Sequence, residues 1–226
     1  MAFTLEKVVP WGRSFEEYVA MFDLTEADLQ RRILGCGDGP AAFNCQLTRQ
    51  GGRVVSTDPI YQFSREEIRS RIAATFTEVV EKTRQNQDEF NWTTIRSPDD
   101  LGQVRMAAME QFLADYDPGK AAGRYITASL PELPFADDSF DLALCSHFLF
   151  LYSPQFDAQF HLSAIEEMLR IAPEVRIFPL VELGTVKSRH LEQVMAQLSS
   201  LGRSLDVKTV AYEFQKGGNE MLRICR

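Results

Sequence analysis

Residues 33–39 read Ile33-Leu34-Gly35-Cys36-Gly37-Asp38-Gly39, and residues 53–58 read Arg53-Val54-Val55-Ser56-Thr57-Asp58. Residues 41–48 between them carry a helical pattern, which Gly51 and Gly52 stop. Strand, glycine turn, helix, strand is the opening of a βαβ unit, and such units build parallel sheets covered by helices. A turn of the form Gly35-x-Gly37-x-Gly39 lets the backbone approach a ligand closely, because no Cβ intervenes. The helix start beyond it favours a carboxylate or phosphate through its free N–H groups and dipole. Asp58 closes the second strand and is well placed to accept hydrogen bonds from ribose hydroxyls. The same residues admit a plainer reading as a tight turn followed by a solvated aspartate. Gly37-x-Gly39-x-x-Ala42 also fits the dinucleotide pattern, so the turn alone leaves two cofactor classes open.

Upstream, Ser14-Phe15-Glu16-Glu17 is a capping-box pattern ahead of an apolar helical face, and Thr25 with Asp28 opens a second short helix. These place N-terminal helices within residues 1–30. Downstream, residues 62–124 are mostly helical, with a capping box at Ser64 and Glu67 and a polar break at residues 85–89. A single crossover needs far less chain, so this stretch reads as an inserted helical cap. The alternative is two helices packed on the sheet edge. Strands are expected at residues 124–128, 140–145 and 174–180, the second apolar enough to be buried on both faces. Helices are expected at 156–170 and 188–201. Residues 207–214 and 221–225 flank Gln215-Lys216-Gly217-Gly218-Asn219 and read as a closing β-hairpin. The fold class is a doubly wound α/β sheet with an antiparallel end, in one domain spanning residues 1–226.

The charge balance narrows the partners. Against 24 Lys and Arg the chain sets 32 Asp and Glu, a net charge of −8, the wrong sign for neutralising a nucleic-acid backbone. Cys36, Cys45, Cys145 and Cys225 form no CxxC pair, and three histidines do not complete a zinc set, so no metal is expected. Scattered thiols fit a reducing, cytoplasmic setting. Residues 1–6 contain no signal-like apolar run, and the least polar stretch, residues 142–152, is too short to span a bilayer. Neither nucleic acid nor membrane is an expected partner, and a homodimer is left open.

The stretch Leu130-Pro131-Glu132-Leu133-Pro134-Phe135-Ala136-Asp137-Asp138-Ser139-Phe140-Asp141, running into Leu142-Ala143-Leu144-Cys145-Ser146, decides between the cofactors. With the glycine turn and Val54-Val55-Ser56-Thr57-Asp58-Pro59, it resembles the class I S-adenosylmethionine-dependent methyltransferases. The resemblance implies a seven-stranded, Rossmann-like sheet with a reversed last strand, and S-adenosyl-L-methionine as cofactor. It implies that Gly35, Cys36, Gly37 and Gly39 line the methionine part, that Asp58 takes the ribose hydroxyls, and that Pro59 and Ile60 pack on adenine. Ser129 and Leu130 would meet the adenine amine and ring, and Ser146 with His147 would face the sulfonium. N-terminal helices of the family fold over the cofactor, which would let Arg13 pair with its carboxylate and Trp11 or Tyr18 wall the pocket. Two positions depart from the pattern: Ile33 replaces an acidic residue and Ser129 an aspartate. Cofactor affinity is then expected to rest on Asp58 and backbone groups, since a neutral hydroxyl bonds less strongly than a carboxylate.

The implied reaction is in-line transfer of the methyl group to a nucleophile of a small-molecule acceptor, with alignment and desolvation supplied by the protein. His147 is the candidate catalytic base, since an unperturbed imidazole titrates near neutrality; the alternative is a loop histidine that only shapes the pocket. Nucleobase-amine enzymes of this fold carry an Asp/Asn-Pro-Pro-aromatic motif where this chain has Ser146-His147-Phe148-Leu149, which disfavours that substrate class. Phe148, Phe150, Tyr152 and Phe156 are candidates for an apolar acceptor pocket. A nicotinamide- or flavin-dependent oxidoreductase and a non-catalytic cofactor-binding protein are the competing readings.

Overall fold

The computed structural model describes residues 9–226; the reading of residues 1–6 lies outside them. Seven strands form one sheet: β1 (Arg32–Cys36), β2 (Arg53–Thr57), β3 (Tyr125–Ile126), β4 (Leu142–Ser146), β5 (Glu174–Phe178), β6 (Ser204–Thr209) and β7 (Glu220–Cys225). Their order is β3-β2-β1-β4-β5-β7-β6. Neighbours from β3 through β5 run parallel, and β7 is antiparallel to both β5 and β6. The doubly wound sheet with a reversed last strand is therefore present as expected.

Seven α-helices accompany the sheet among the described residues: α1 (Phe15–Met21), α2 (Glu26–Leu29), α3 (Phe43–Arg49), α4 (Arg65–Gln85), α5 (Pro98–Ala121), α6 (Ala158–Ile171) and α7 (Leu191–Ser200). None is long and apolar enough to cross a membrane. Reciprocal capping boxes start α1 at Ser14, α2 at Thr25 and α4 at Ser64, satisfying N–H groups that a helix start leaves bare. Every residue of β4 is buried, and alternation sends its side chains to two different layers. Ala143 and Cys145 join the core beneath α6 and α7, whereas Leu142 and Leu144 pack with Tyr18, Met21 and Phe22 of the N-terminal segment.

Two elements differ from the sequence reading. The third strand is confined to Tyr125–Ile126. The penultimate strand ends at Thr209, so residues 207–214 are not one strand and a ten-residue connection replaces the tight hairpin. Its aromatic side chains have stronger anchors elsewhere. Phe214 stacks on Phe90 at 4.9 Å between centroids and meets Trp92 edge-on, while Tyr212 meets Phe178. Within residues 62–124, α5 lies against α3 and β3 and so forms the crossover from β2 to β3, while α4 packs on α5.

One buried charge pair joins three distant parts of the chain over the strand ends. Arg105 of α5, fully buried, donates to Glu17 Oε2 of α1 at 2.6 Å. Tyr212, from the connection after β6, donates to Glu17 Oε1 at 2.9 Å and lies 3.4 Å from Arg105 Nη2. Burial opposes ionisation of Glu17, but the charges of Arg105 and Arg13 outweigh it and hold the carboxyl below its usual range. Removing one member of such a pair strands the other charge in the interior. Glu17→Ala is expected to lower the unfolding free energy by about 3–5 kcal/mol in urea titrations; a loss under about 1 kcal/mol, the scale of a surface pair, would refute this role.

Candidate functional site

A cavity of about 800 Å³ opens at the C-terminal ends of the parallel strands. The strand order reverses between β1 and β4, the crevice at which open α/β sheets bind ligands. Gly37 and Gly39 follow β1, Asp58 and Pro59 follow β2, and Ser129 and Leu130 follow β3. Ser146 and His147 stand at the end of β4. Arg13, Trp11 and Tyr18 of the N-terminal segment close one side. Ile68 and Arg71 of α4 and Phe214 of the last connection also line the cavity.

The glycine turn is built differently from the expectation. Gly37 (φ +69°) and Gly39 (φ +54°) adopt left-handed backbone conformations, and a Cβ on Gly37 would press on Phe148 at 3.2 Å. Gly35 and Cys36 do not line the cavity. A Cβ on Gly35 would fall 1.8 Å from Asp38 Oδ2, so the missing side chain makes room for a carboxylate, and Cys36 points into the core with Cys145. At the start of α3 the N–H of Ala42 is taken: it donates to the Arg13 carbonyl at 2.9 Å, and Gly12 lies against Pro40.

Asp58 Oδ2 accepts from Gly39 N–H at 2.9 Å and Oδ1 from Ile60 N–H at 2.8 Å. Burial raises its pKa against these two donors, and further lone pairs of the carboxylate remain for hydroxyl donors. Arg13 has the opposite character. Its guanidinium donates to the Trp11 carbonyl at 2.7 Å, its Nε is buried without a partner, and no carboxylate pairs with it among the described residues. Burial and the nearby Arg105 lower its pKa, the mark of a cation lacking a counterion.

His147 adopts φ +51° and donates its N–H to the Phe178 carbonyl at 2.7 Å. Its Nδ1 lies 3.0 Å from Ser146 Oγ. Burial, then Arg13 and Arg105, push its pKa well below the ordinary value. The sequence expectation of near-neutral titration is corrected accordingly: the ring is held neutral, able to accept a proton but as a weaker base. Of the proposed acceptor-pocket aromatics, Phe148, Tyr152 and Phe156 line the cavity, whereas Phe150 is buried in the core against His161. No group of three His, Cys, Asp or Glu among the described residues is arranged to hold a metal.

Asp38 was not singled out by the sequence. It is buried, accepts from Tyr18 Oη at 2.9 Å and from Ser56 Oγ at 2.6 Å, and burial raises its pKa to about 6. The signal was the Gly35-x-x-Asp38 spacing, which leaves a hole the size of a carboxylate.

The sheet order, the reversed β7 and the glycine turn facing an acidic strand end define a protein of the class I methyltransferase fold. The chain belongs to the same family as the uncharacterized protein MJ0045 of Methanocaldococcus jannaschii, with which it is 34% identical over 224 residues, covering 98% of each chain. No family model matches the sequence. Solved structures with a similar chain course include the magnesium protoporphyrin IX methyltransferase of Synechocystis PCC 6803 with bound SAM. Its identity is 13%, with 94% of this chain and 77% of that one covered and a TM-score of 0.47. The PH0226 protein of Pyrococcus horikoshii is 11% identical over 93% of this chain and 90% of that one, with a TM-score of 0.48. Neither likeness assigns an activity to this chain.

Asp38 makes stability depend on pH. Its folded pKa of about 6 exceeds the ordinary 3.8, so the folded state holds the proton more tightly. The stabilisation is full below the unfolded value and is lost as pH rises through the folded one. Relative to Asp38→Asn, the wild-type chain is expected to lose on the order of 3 kcal/mol between pH 4 and 7, read from unfolding curves. Parallel curves for the two proteins would contradict the assignment.

Proposed function

We propose that this chain is an S-adenosylmethionine-dependent methyltransferase of a small, largely apolar acceptor, working in the cytoplasm. The observation that carries the reading is the half-buried guanidinium of Arg13, whose buried Nε has no hydrogen-bond partner and which pairs with no carboxylate among the described residues, in the same cavity as the bare glycine turn and Asp58. A ligand that joins a nucleoside to an amino-acid carboxylate satisfies both ends of that arrangement. Ribose hydroxyls would donate to the remaining lone pairs of Asp58, and the carboxylate would pair with Arg13. Pro59, Ile60 and Leu130 offer apolar contact to the base, and Ser129 a neutral hydrogen-bonding group. Ser146 stands between His147 and the strand end, where the reacting centre would lie.

When bound, the cofactor supplies an activated methyl group and its own leaving group. The chain's part is to align, to exclude water and to take a proton. Phe148, Tyr152 and Phe156 offer an apolar wall, and α4 and the connection after β6 enclose the opposite side. Neutral His147 would accept a proton from an acceptor hydroxyl, thiol or amine. The dinucleotide reading is less well supported. A pyrophosphate calls for free N–H groups at the start of α3, and the Arg13 carbonyl occupies that of Ala42. A purely cofactor-binding role is disfavoured by the room left beside His147.

Calorimetric titration with S-adenosylmethionine, S-adenosylhomocysteine and NAD tests the reading. The two adenosyl ligands are expected to saturate and NAD not to bind; NAD binding alone would overturn it. Asp58→Ala is expected to abolish most adenosyl affinity. Arg13→Leu should weaken S-adenosylhomocysteine about tenfold to a hundredfold, the scale of one charge-assisted hydrogen bond. It should leave 5′-methylthioadenosine, which lacks the carboxylate, unchanged. Equal losses for both ligands would remove Arg13 from carboxylate recognition.

A further inference from the structure

The two edges of the sheet expose very different lengths of backbone. β3 is confined to Tyr125–Ile126, whereas β6 runs from Ser204 to Thr209 with only β7 beside it. The pairing of β6 with β7 shows which of its backbone groups point outward. Ser204 stands opposite Cys225, Asp206 opposite Arg223 and Lys208 opposite Met221, and the same register puts Val210 opposite Asn219. Val210 N–H donates to the Asn219 carbonyl at 2.8 Å, a bond between directly opposed residues. Bonded and unbonded pairs alternate along an antiparallel ladder, so Ser204, Asp206 and Lys208 turn their N–H and C=O groups toward β7. The bond from Arg226 N–H to the Pro173 carbonyl fixes the same alternation from the β5 side. Leu205, Val207 and Thr209 therefore turn theirs away from the sheet, where they meet no backbone partner among the described residues.

The side chains alternate as well. Leu205 packs against the core beneath α6 and α7, and Val207 and Thr209 share its face. On the other face Asp206 is exposed and Lys208 Nζ lies 3.2 Å from Asp23 Oδ2. Val207, in the middle of the strand, is 37% exposed, and Leu201, in the turn leading from α7 into β6, is 55% exposed. Bare backbone with an apolar side chain at its centre is a template for another strand.

We propose that β6 is the interface of a symmetric homodimer: a second copy of this chain lays its own β6 antiparallel to the first, about a two-fold axis through Val207, and joins the two sheets into one. Symmetry and charge select this register. A two-fold axis perpendicular to the sheet keeps every side chain on its own face, so it passes through a residue opposed to its own copy. An axis through Asp206 or Lys208 would set like charges directly opposite each other, which is destabilising. An axis through Leu205 or Thr209 would leave part of the strand without a partner strand. Through Val207, Asp206 faces the partner's Lys208 and Lys208 the partner's Asp206, so the charges are self-complementary. Val207 then faces its own copy and Leu205 faces the partner's Thr209. These are the residues with outward N–H and C=O groups, so each such group finds its complement across the axis. Asp206 and the partner's Lys208 fall in an unbonded pair, the kind that brings side chains closer together. Because the strands run antiparallel, the two cavities open at opposite ends of the joined sheet. The dimer therefore does not rest on the reading of the reaction.

Sedimentation equilibrium of the full chain, with no ligand added, tests the interface. Wild type is expected to show twice the 25.7 kDa of one chain at tens of micromolar. Val207→Pro removes an N–H that points away from β7, a change an edge strand tolerates, and is expected to give a folded monomer. Asp206→Lys opposes lysines across the axis and is expected to raise the dissociation constant about tenfold or more. Adding Lys208→Asp to that variant restores opposite charges and is expected to return the constant to within about threefold of wild type. Circular dichroism checks that each variant is folded; if Val207→Pro is not, the charge variants decide. A monomeric wild type, a dimer that survives Val207→Pro in a folded chain, or a double charge exchange that fails to restore association would overturn the proposal.

Discussion

The pair of Glu17 and Arg105 organises the cavity because donors from three parts of the chain converge on the one carboxylate. Its Oε2 takes Ser14 N–H at 2.8 Å and Arg105 at 2.6 Å, and its Oε1 takes Tyr212 at 2.9 Å. One carboxylate thereby closes the capping box of α1, neutralises the buried guanidinium of α5 and fastens the connection after β6. Arg13 stands in the same field and gains some attraction from Glu17, but donates no hydrogen bond to it. Two guanidiniums with one carboxylate leave a net positive charge at the wall of a cavity, where burial makes an unmatched charge expensive. The packing that builds the wall thus leaves Arg13 without a carboxylate partner among the described residues.

The opposite side of the cavity is acidic, and its two aspartates are held by different means. Asp58 is fixed by backbone N–H groups of Gly39 and Ile60, Asp38 by the side-chain hydroxyls of Tyr18 and Ser56. Backbone donors cannot reverse, so Asp58 presents the same face whatever its protonation. Hydroxyls can both give and accept, so the surroundings of Asp38 follow its charge.

Local features were legible in the sequence and reciprocal ones were not. The all-buried β4, the capping boxes at Ser14 and Ser64, and the turn at Gly37 and Gly39 follow from spacing within a few residues, and the structure has each. Asp58 and His147 were legible because each stands at a strand end, where the topology sends side chains to one crevice. A further reason for Gly35 was not legible because it lies three residues on, in the volume of the Asp38 carboxylate. Arg105 was invisible in a helical stretch, since its partners are 88 and 107 positions away. The boundary of β6 failed similarly: the expected strand ran on to residue 214, but Tyr212 and Phe214 found partners outside the sheet.

Those same two residues explain how an enclosed cavity coexists with a rigid sheet. The connection after β6 meets the stretch after α4 through a bridge between Phe90 and Gln215. Asn91 N–H donates to the Phe214 carbonyl at 2.7 Å, and Lys216 N–H to that of Glu89 at 2.9 Å. Phe90, Trp92 and Phe214 seal the seam with aromatic contact. None of these bonds belongs to the seven-stranded ladder, so the enclosure on this side is separate from the element that sets Asp58, Ser146 and His147 in place. Side chains mounted on strand ends thus take their mutual geometry from the sheet, while the wall that encloses them on this side is held by aromatic packing and a short bridge of its own.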